Sequence, residues 1–209
     1  MIAIIDYGAG NVRSVANALA KLGYESMVTG MPDNVLNADA VIFPGVGAAG
    51  DTMRSLESSG MAGAIQQLVA KEMPLFAICV GMQVIFTGTE EGGWHECMGL
   101  IPGAVRLFPD SDLKIPHMGW NQVKQMMAHP IFEGIPDEAN FYFVHSYCST
   151  PDDESIIAGT TEYGVPFCSM IVKGNLVATQ FHPEKSGDHG LRMYSNFLNM
   201  ALDTKSRYY

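Results

Sequence analysis

The chain has 209 residues, 47% of them apolar and 16% charged, with a formal charge of −10. That composition fills a sizeable core, and its acidity argues against a nucleic-acid surface, which needs clustered Lys and Arg; the densest basic stretch, the closing "DTKSRYY", is short and mixed. The opening "MIAIIDYGAG" has no basic leader, and no apolar run reaches the roughly 20 residues of a bilayer span, so neither a signal peptide nor a membrane segment is expected. Cys79, Cys97, Cys148 and Cys168 form no C-x-x-C pair, which disfavours zinc and a disulfide framework and fits a reducing cytoplasm. A cytoplasmic enzyme or enzyme subunit is expected.

In chain order, "IAIID" reads as a strand and "GAGNVRSVANALAKLG" as a helix. Its apolar residues Val12, Val15, Ala16 and Leu19 recur at i, i+3, i+4 and i+7, and Gly23 follows as a stop. "YESMVT" and "ADAVIFPG" predict two further strands, "MAGAIQQLVAKEM" a second helix and "PLFAIC" a fourth strand. This rhythm implies a parallel sheet covered by helices on both faces. From about Trp94 the texture changes to strand-like runs, "AVRLF", "FYFVHSYC", "SIIAGT" and "FCSMIVKGNLVATQFHP", with "GLRMYSNFLNMAL" as a closing helix. These predict antiparallel or mixed pairing beside the parallel core. No repeat or linker interrupts the chain, so one domain over residues 1–209 is expected.

"DYGAGNVRS" sets Gly8 and Gly10 between a strand and a helix, as a dinucleotide fingerprint would. Arg13 occupies the third glycine position, where a side chain blocks close helix–strand packing, so a plain tight turn is the better reading and NAD is rejected.

"AICVG" is close to a nucleophile elbow, with small Ala77 and Gly81 flanking Cys79. From this segment alone a buried core thiol fits equally well. "TQFHPEKSG" shifts the balance: Pro183 keeps His182 and Glu184 out of a helix interior, and in an extended or turning backbone the carboxylate can reach one imidazole nitrogen. The other nitrogen is then free to face a thiol. In "FPGVGAAGD" a glycine loop at a strand end can aim backbone N–H groups at a developing oxyanion, although alone such a loop is usually a turn. His117, His129, His145 and His189 show no ligand spacing with Cys or carboxylates, so no metal is expected.

P-G-x-G, C-x-G-M-Q and H-P-E, in this order and at these separations, resemble the class I (triad) glutamine amidotransferase domain over essentially the whole chain. The resemblance implies a three-layer α/β fold: a mostly parallel central sheet with helices on both faces, plus a smaller antiparallel or mixed sheet. It makes Cys79 the nucleophile, His182 the acid–base group and Glu184 its orienting partner. It places oxyanion donors at the backbone of Val80 and of the Gly45–Val46–Gly47 loop. L-Glutamine would be held near Gly47, Gln83 and the His145–Ser146–Tyr147 stretch, with no metal or organic cofactor. Departures are small: Ala77 and Val80 replace the commoner Gly and Leu, while Ala49 and Cys148 stand on the expected pocket rim.

"DYGAGN", "KIPHMGWN" and "YFVHSY" narrow the resemblance to glutaminase subunits that pass ammonia to a (β/α)8-barrel cyclase subunit, with a sugar-amination paralogue as the alternative acceptor system. Asn11, Met118, Trp120, Asn121, Tyr142 and Lys185 would then surround the exit toward that partner, with Trp120 either an interface anchor or packed in the chain's own core. Two other readings, a cysteine-elbow hydrolase of DJ-1-like or dienelactone-hydrolase-like type and an idle binding subunit, are disfavoured by the adjacent His-Pro-Glu and by the complete triad.

Overall fold

Short apolar runs that are buried on both faces suit parallel pairing, and the central strands of the first half of the chain are of this kind, while the edge strand Ser26–Thr29 leaves Met27 and Val28 exposed. The computed structural model describes residues 1–109 and 113–206. In it β1 (Ile2–Ile5), β2 (Ser26–Thr29), β3 (Ala40–Gly45) and β4 (Leu75–Cys79) lie side by side in the order β2-β1-β3-β4, every pairing parallel. The connecting helices are α1 (Val12–Lys21), α2 (Pro32–Leu36), α3 (Ala49–Ser58) and α4 (Met61–Ala70). The predicted stripe on α1 faces inward, burying Val15 and Leu19 with Val12 and Ala16 half-buried against the core. Arg13 is exposed, so nothing at the third fingerprint position packs on the strand. The sequence reading did not assign α2, which begins on Pro32 as an N1 proline allows. It also missed α3, which starts inside the glycine loop at Ala49.

The rest of the chain contains α5 (Val80–Val84), β5 (Phe86–Thr89), β6 (His95–Glu96), β7 (Ile101–Leu107), β8 (His117–Gln125), β9 (Ala139–His145), β10 (Tyr147–Pro151), β11 (Ile157–Tyr163), β12 (Val165–Lys173), β13 (Leu176–Thr179) and α6 (Gly187–Ser206). β13 joins β4 in parallel and β12 returns antiparallel to it, so the parallel sheet passes directly into an antiparallel region. The full order is β2-β1-β3-β4-β13-β12-β10-β7-β5-β6, with β11 bridging β12 to the β8–β9 ribbon.

Two predicted runs divide. "FYFVHSYC" breaks at Ser146 because its halves have different partners: β9 pairs with β8, and β10 with β7 and β12. "FCSMIVKGNLVATQFHP" folds as the β12–β13 hairpin and leaves the sheet after Thr179. α1 packs with α6, and α4 packs with both α2 and α3, giving a helical layer on each face. Phe76 of β4 seals the α6 side, its ring 5.5 Å from Tyr194 and 5.2 Å from Phe197. Among the described residues no helix is long and apolar enough to cross a membrane. The side chains of residues 203–209, the closing basic stretch, lie outside the description.

Candidate active site

The site forms where the parallel strands end. The register pairs Gly45 with Cys79 across β3 and β4, and Thr179 with Ile78 across β13 and β4, so three chain segments leave the same edge together. Ligands bind at this carboxyl edge in open α/β sheets. At Cys79 the backbone turns from strand to helix with φ 54° and ψ −111°. A non-glycine residue held in such a region costs about 1–3 kcal/mol and needs a surround that enforces it. Two glycines supply that surround. A Cβ on Gly81 would lie 2.5 Å from the Phe43 carbonyl oxygen, and one on Gly45 would lie 2.4 Å from the Gly81 nitrogen. The end of β3 therefore touches the elbow through backbone alone, and no side chain fits between them. Cys79 is only 4% exposed; its elbow opens onto a cavity rather than bulk solvent.

His182 follows three residues after β13, in extended backbone, its N–H donating to the Tyr142 carbonyl at 2.9 Å. Pro183 then opens a 3-10 turn, Pro183–Lys185, so Glu184 reaches the ring from a turn rather than along an extended strand. Ser186 fastens the turn, its hydroxyl donating to the His182 carbonyl at 2.6 Å and accepting the Tyr142 N–H at 3.0 Å. His182 Nδ1 lies 2.8 Å from Glu184 Oε1, with both side chains 2% exposed. A buried carboxylate against Nδ1 fixes the tautomer: Nδ1 carries the proton and Nε2 is left free. Burial opposes the charged imidazole, but the Cys79 sulfur and the Glu184 carboxylate together outweigh it and raise the His182 pKa. The sulfur acts on the ring from nearby without meeting the geometry of a hydrogen bond to Nε2. A thiol beside such a pair can pass its proton to Nε2 and attack a carbonyl carbon.

A cavity of about 280 Å³ opens over the elbow, near the lower end of small-molecule sites at roughly 300–1,000 Å³. Its wall brings together Val46 and Gly47 from the β3–α3 loop, Cys79, Val80 and Gln83 from the elbow and α5, His145, Ser146 and Tyr147 from the β9–β10 corner, and His182. Gly45 lies beneath the elbow instead of in the wall, and Glu184 stands behind His182. The sequence reading missed Glu91, Pro116 and Val144, which complete the wall. Glu91 also accepts the Ala49 N–H at 2.7 Å, tying the first turn of α3 to the cavity. Gln180 was missed as well; its side-chain N–H lies 3.6 Å from Cys79 Sγ. Neither Ala49 nor Cys148 reaches the wall.

His145 is not available as a cation. Its Nδ1–H donates to the Tyr147 carbonyl at 2.8 Å, and its Nε2 lies 3.0 Å from His117 Nδ1. The amide nitrogen of Asn121 donates to His117 Nε2 at 3.3 Å, so both ends of the chain fix both tautomers as neutral. Burial lowers His117 to about 4; burial, with the nearby His117 and His182, lowers His145 to about 3. Because both values lie below the unfolded value near 6.5, the unfolded chain binds more protons in this window, and stability falls as pH drops through it. Burial likewise pushes the Cys97 and Cys148 thiols up to about 11 and Cys168 to about 12, which keeps all three protonated and unreactive near neutrality.

On the outer side of the β8–β9 ribbon, Trp120 is 57% exposed and Met118 62% exposed, so Trp120 is not packed in the chain's own core. The register sets Trp120 opposite Tyr142, whose ring stands edge-on to the indole at 6.1 Å, with Lys185 Nζ 5.7 Å from the Tyr142 centroid. Asn11 begins α1, which packs against the Pro183–Lys185 turn. Asn121 is half-buried and turned inward, its amide bonded to His117 and to the Glu162 carbonyl.

Known proteins bear on this geometry directly. The glutamine amidotransferase class-I family model matches residues 3–201. The imidazole glycerol phosphate synthase subunit HisH of Dehalococcoides mccartyi (strain ATCC BAA-2266 / KCTC 15142 / 195) is 58% identical over 98% of this chain and 100% of its own. That of Chloroflexus aurantiacus (strain ATCC 29364 / DSM 637 / Y-400-fl) is 49% identical over 96% of each chain. Among solved structures, a glutamine amidotransferase superposes with a TM-score of 0.75 at 17% identity, covering 96% of this chain and 99% of its own. At that identity the match speaks for the fold, and the α/β architecture with its mostly parallel sheet is shared. The chain belongs to the glutamine amidotransferase class-I family, on the branch of the imidazole glycerol phosphate synthase HisH subunits.

Proposed function

We propose that the chain is the glutaminase subunit of imidazole glycerol phosphate synthase in histidine biosynthesis, hydrolysing L-glutamine and passing the ammonia to a (β/α)8-barrel cyclase subunit. The observation that carries this reading is the meeting of Cys79 with the buried His182–Glu184 pair at one amino-acid-sized cavity. The Cys79 thiolate attacks the side-chain amide carbon of glutamine. Backbone N–H groups of Val80 and of the Val46 loop stabilise the oxyanion. The His182 imidazolium gives its Nε2 proton to the leaving nitrogen, ammonia departs and a glutamyl thioester remains. Neutral His182 then takes a proton from water, the resulting hydroxide displaces the thiolate, and glutamate leaves.

Among the described residues Glu91 is the one carboxylate in the cavity wall, and it suits the substrate's α-amino group. The substrate carboxylate falls to backbone N–H groups of the β9–β10 corner, since His145 stays neutral. No metal or organic cofactor enters this chemistry, which the single domain of residues 1–209 carries out in the cytoplasm.

Free ammonia in neutral water becomes ammonium and loses its nucleophilicity, so discharge into a partner is part of the function. Trp120, Met118, Tyr142, Lys185 and Asn11 form the proposed docking face, and Asn121 supports it from behind. The test is to titrate the chain with cyclase subunit and its nucleotide substrate while following glutamate release. The chain alone is expected to be a poor glutaminase that the liganded partner activates, because differential contacts with the partner would shift the Gly45–Val46–Gly47 loop from a resting position toward one that aims its N–H groups at the oxyanion. Trp120→Ala is expected to weaken binding by about 30-fold or more, as the loss of a central aromatic anchor does at roughly 2 kcal/mol or more. Full activity without the partner, or wild-type affinity in the variant, contradicts the arrangement.

A further inference from the structure

We infer that Gln180 holds the Cys79 sulfur in its charged, attack-ready state, and that Gln83 locks the Gln180 amide the right way round to do so. The inference rests on the reading of Cys79 as the nucleophile. Gln180 is fully buried, just beyond the end of β13, its backbone N–H pinned to the Ser169 carbonyl at 2.9 Å. The direction of its amide follows from the network. Gln83 Nε2 lies 3.2 Å from the Tyr147 carbonyl, an acceptor that cannot flip, so the NH2 end of Gln83 is fixed there. The same nitrogen lies 3.0 Å from the Gln180 side chain. Gln180 must therefore present its oxygen to Gln83, which leaves its NH2 facing Cys79 Sγ at 3.6 Å.

A donor in that position discriminates between the two states of the sulfur. A neutral thiol is a weak acceptor, whereas a thiolate accepts strongly, so the contact favours the charged form. It also holds the side chain in place at a residue whose backbone is already constrained. His182 supplies the counter-charge from one side and Gln180 a neutral donor from the other. A neutral donor does not compete for the proton that His182 must later deliver.

The test uses the chain in complex with its cyclase subunit, comparing wild type, Gln180→Glu, Gln180→Met, Gln83→Met and Cys79→Ala. Two readouts serve: the pH dependence of iodoacetamide alkylation at residue 79, located by mass spectrometry, and kcat and KM for glutamine. Gln180→Glu keeps an oxygen for Gln83 but removes the donor and adds negative charge; Gln180→Met removes both contacts at similar length. Both are expected to move the alkylation inflection up by about one pH unit or more. Alkylation at pH 7 and kcat are expected to fall about 10- to 100-fold, the range for a lost hydrogen bond to a charged group. Gln83→Met, which frees the Gln180 amide to turn, is expected to shift the inflection the same way by less and to raise KM.

A purely structural Gln180 would lower activity without moving the inflection, so an unshifted profile in a folded Gln180 variant overturns the inference. If neither Gln180 variant binds the cyclase, the Gln83→Met profile decides, and no shift there overturns it equally. Cys79→Ala separates the two claims. Glutamate release persisting in Cys79→Ala would refute the nucleophile itself, whereas a silent Cys79→Ala beside an unshifted Gln180→Glu refutes only the role of Gln180.

Discussion

Replacing Cys79 with alanine is expected to cut glutamate release by roughly 10⁴- to 10⁶-fold, the scale on which loss of a nucleophile acts when it works as a unit with its base. The complex should still make product from added ammonium salt at close to the wild-type rate, because the cyclase reaction then bypasses the thiol. The two assays on one sample separate chemistry from folding. A misfolded subunit would also fail to bind the cyclase, while a folded Cys79→Ala variant loses only the glutamine-dependent reaction. Residual turnover is not expected from the other cysteines, whose buried (Cys168) or half-buried (Cys97, Cys148) thiols are held protonated at neutral pH. Wild-type glutamate release from the variant would remove Cys79 from the mechanism.

Glu184→Gln should cost about 10²- to 10⁴-fold in kcat with little change in KM, the upper figure being that of an acidic triad member turned into its amide. The substitution preserves shape but deletes the charge that, with Cys79, raises His182 against the opposing effect of burial. It also allows an amide N–H to face Nδ1, which favours the wrong tautomer. The pH dependence has a definite sign. A His pKa raised on folding contributes stability that is fully present below the unfolded value near 6.5 and is lost as pH rises through the higher folded value. Wild-type stability should therefore decline across the alkaline range, and Glu184→Gln should lose its share at lower pH and show a flatter alkaline limb. Thermal unfolding at several pH values, run beside steady-state kinetics, checks both. An effect confined to KM, or an unchanged alkaline limb, would contradict the assignment.

The features that were legible in the sequence are those whose physics is local. β1, β3 and β4 announce themselves because strands buried on both faces are apolar throughout. The elbow is visible because Gly81 must admit the Phe43 carbonyl, and the His182–Glu184 pair because Pro183 restricts the backbone between them. What escaped depends on pairing across the fold. α3 buries Ala49, Thr52, Met53 and Leu56 at helical spacing, but the preceding glycine loop masked where it begins. β8 is exposed or half-buried at most of its positions, so it has no apolar run to read. His117 and His145 meet because the antiparallel register sets them opposite each other, which neither segment encodes alone. Gln180 is two residues from His182, yet its role depends on Gln83, 97 residues earlier. Glu91 enters the cavity from a loop whose sequence resembles any acidic turn.

The central claim is that Cys79 becomes covalently acylated by glutamine during turnover. The most direct measurement is to mix the cyclase complex with glutamine, quench in acid during steady-state turnover, digest and map the chain by mass spectrometry. A glutamyl group in thioester linkage should appear on the peptide containing Cys79, be removed by hydroxylamine, and be absent from Cys79→Ala. An active complex that carries no acyl group on Cys79, or that carries it on another residue, would contradict the account.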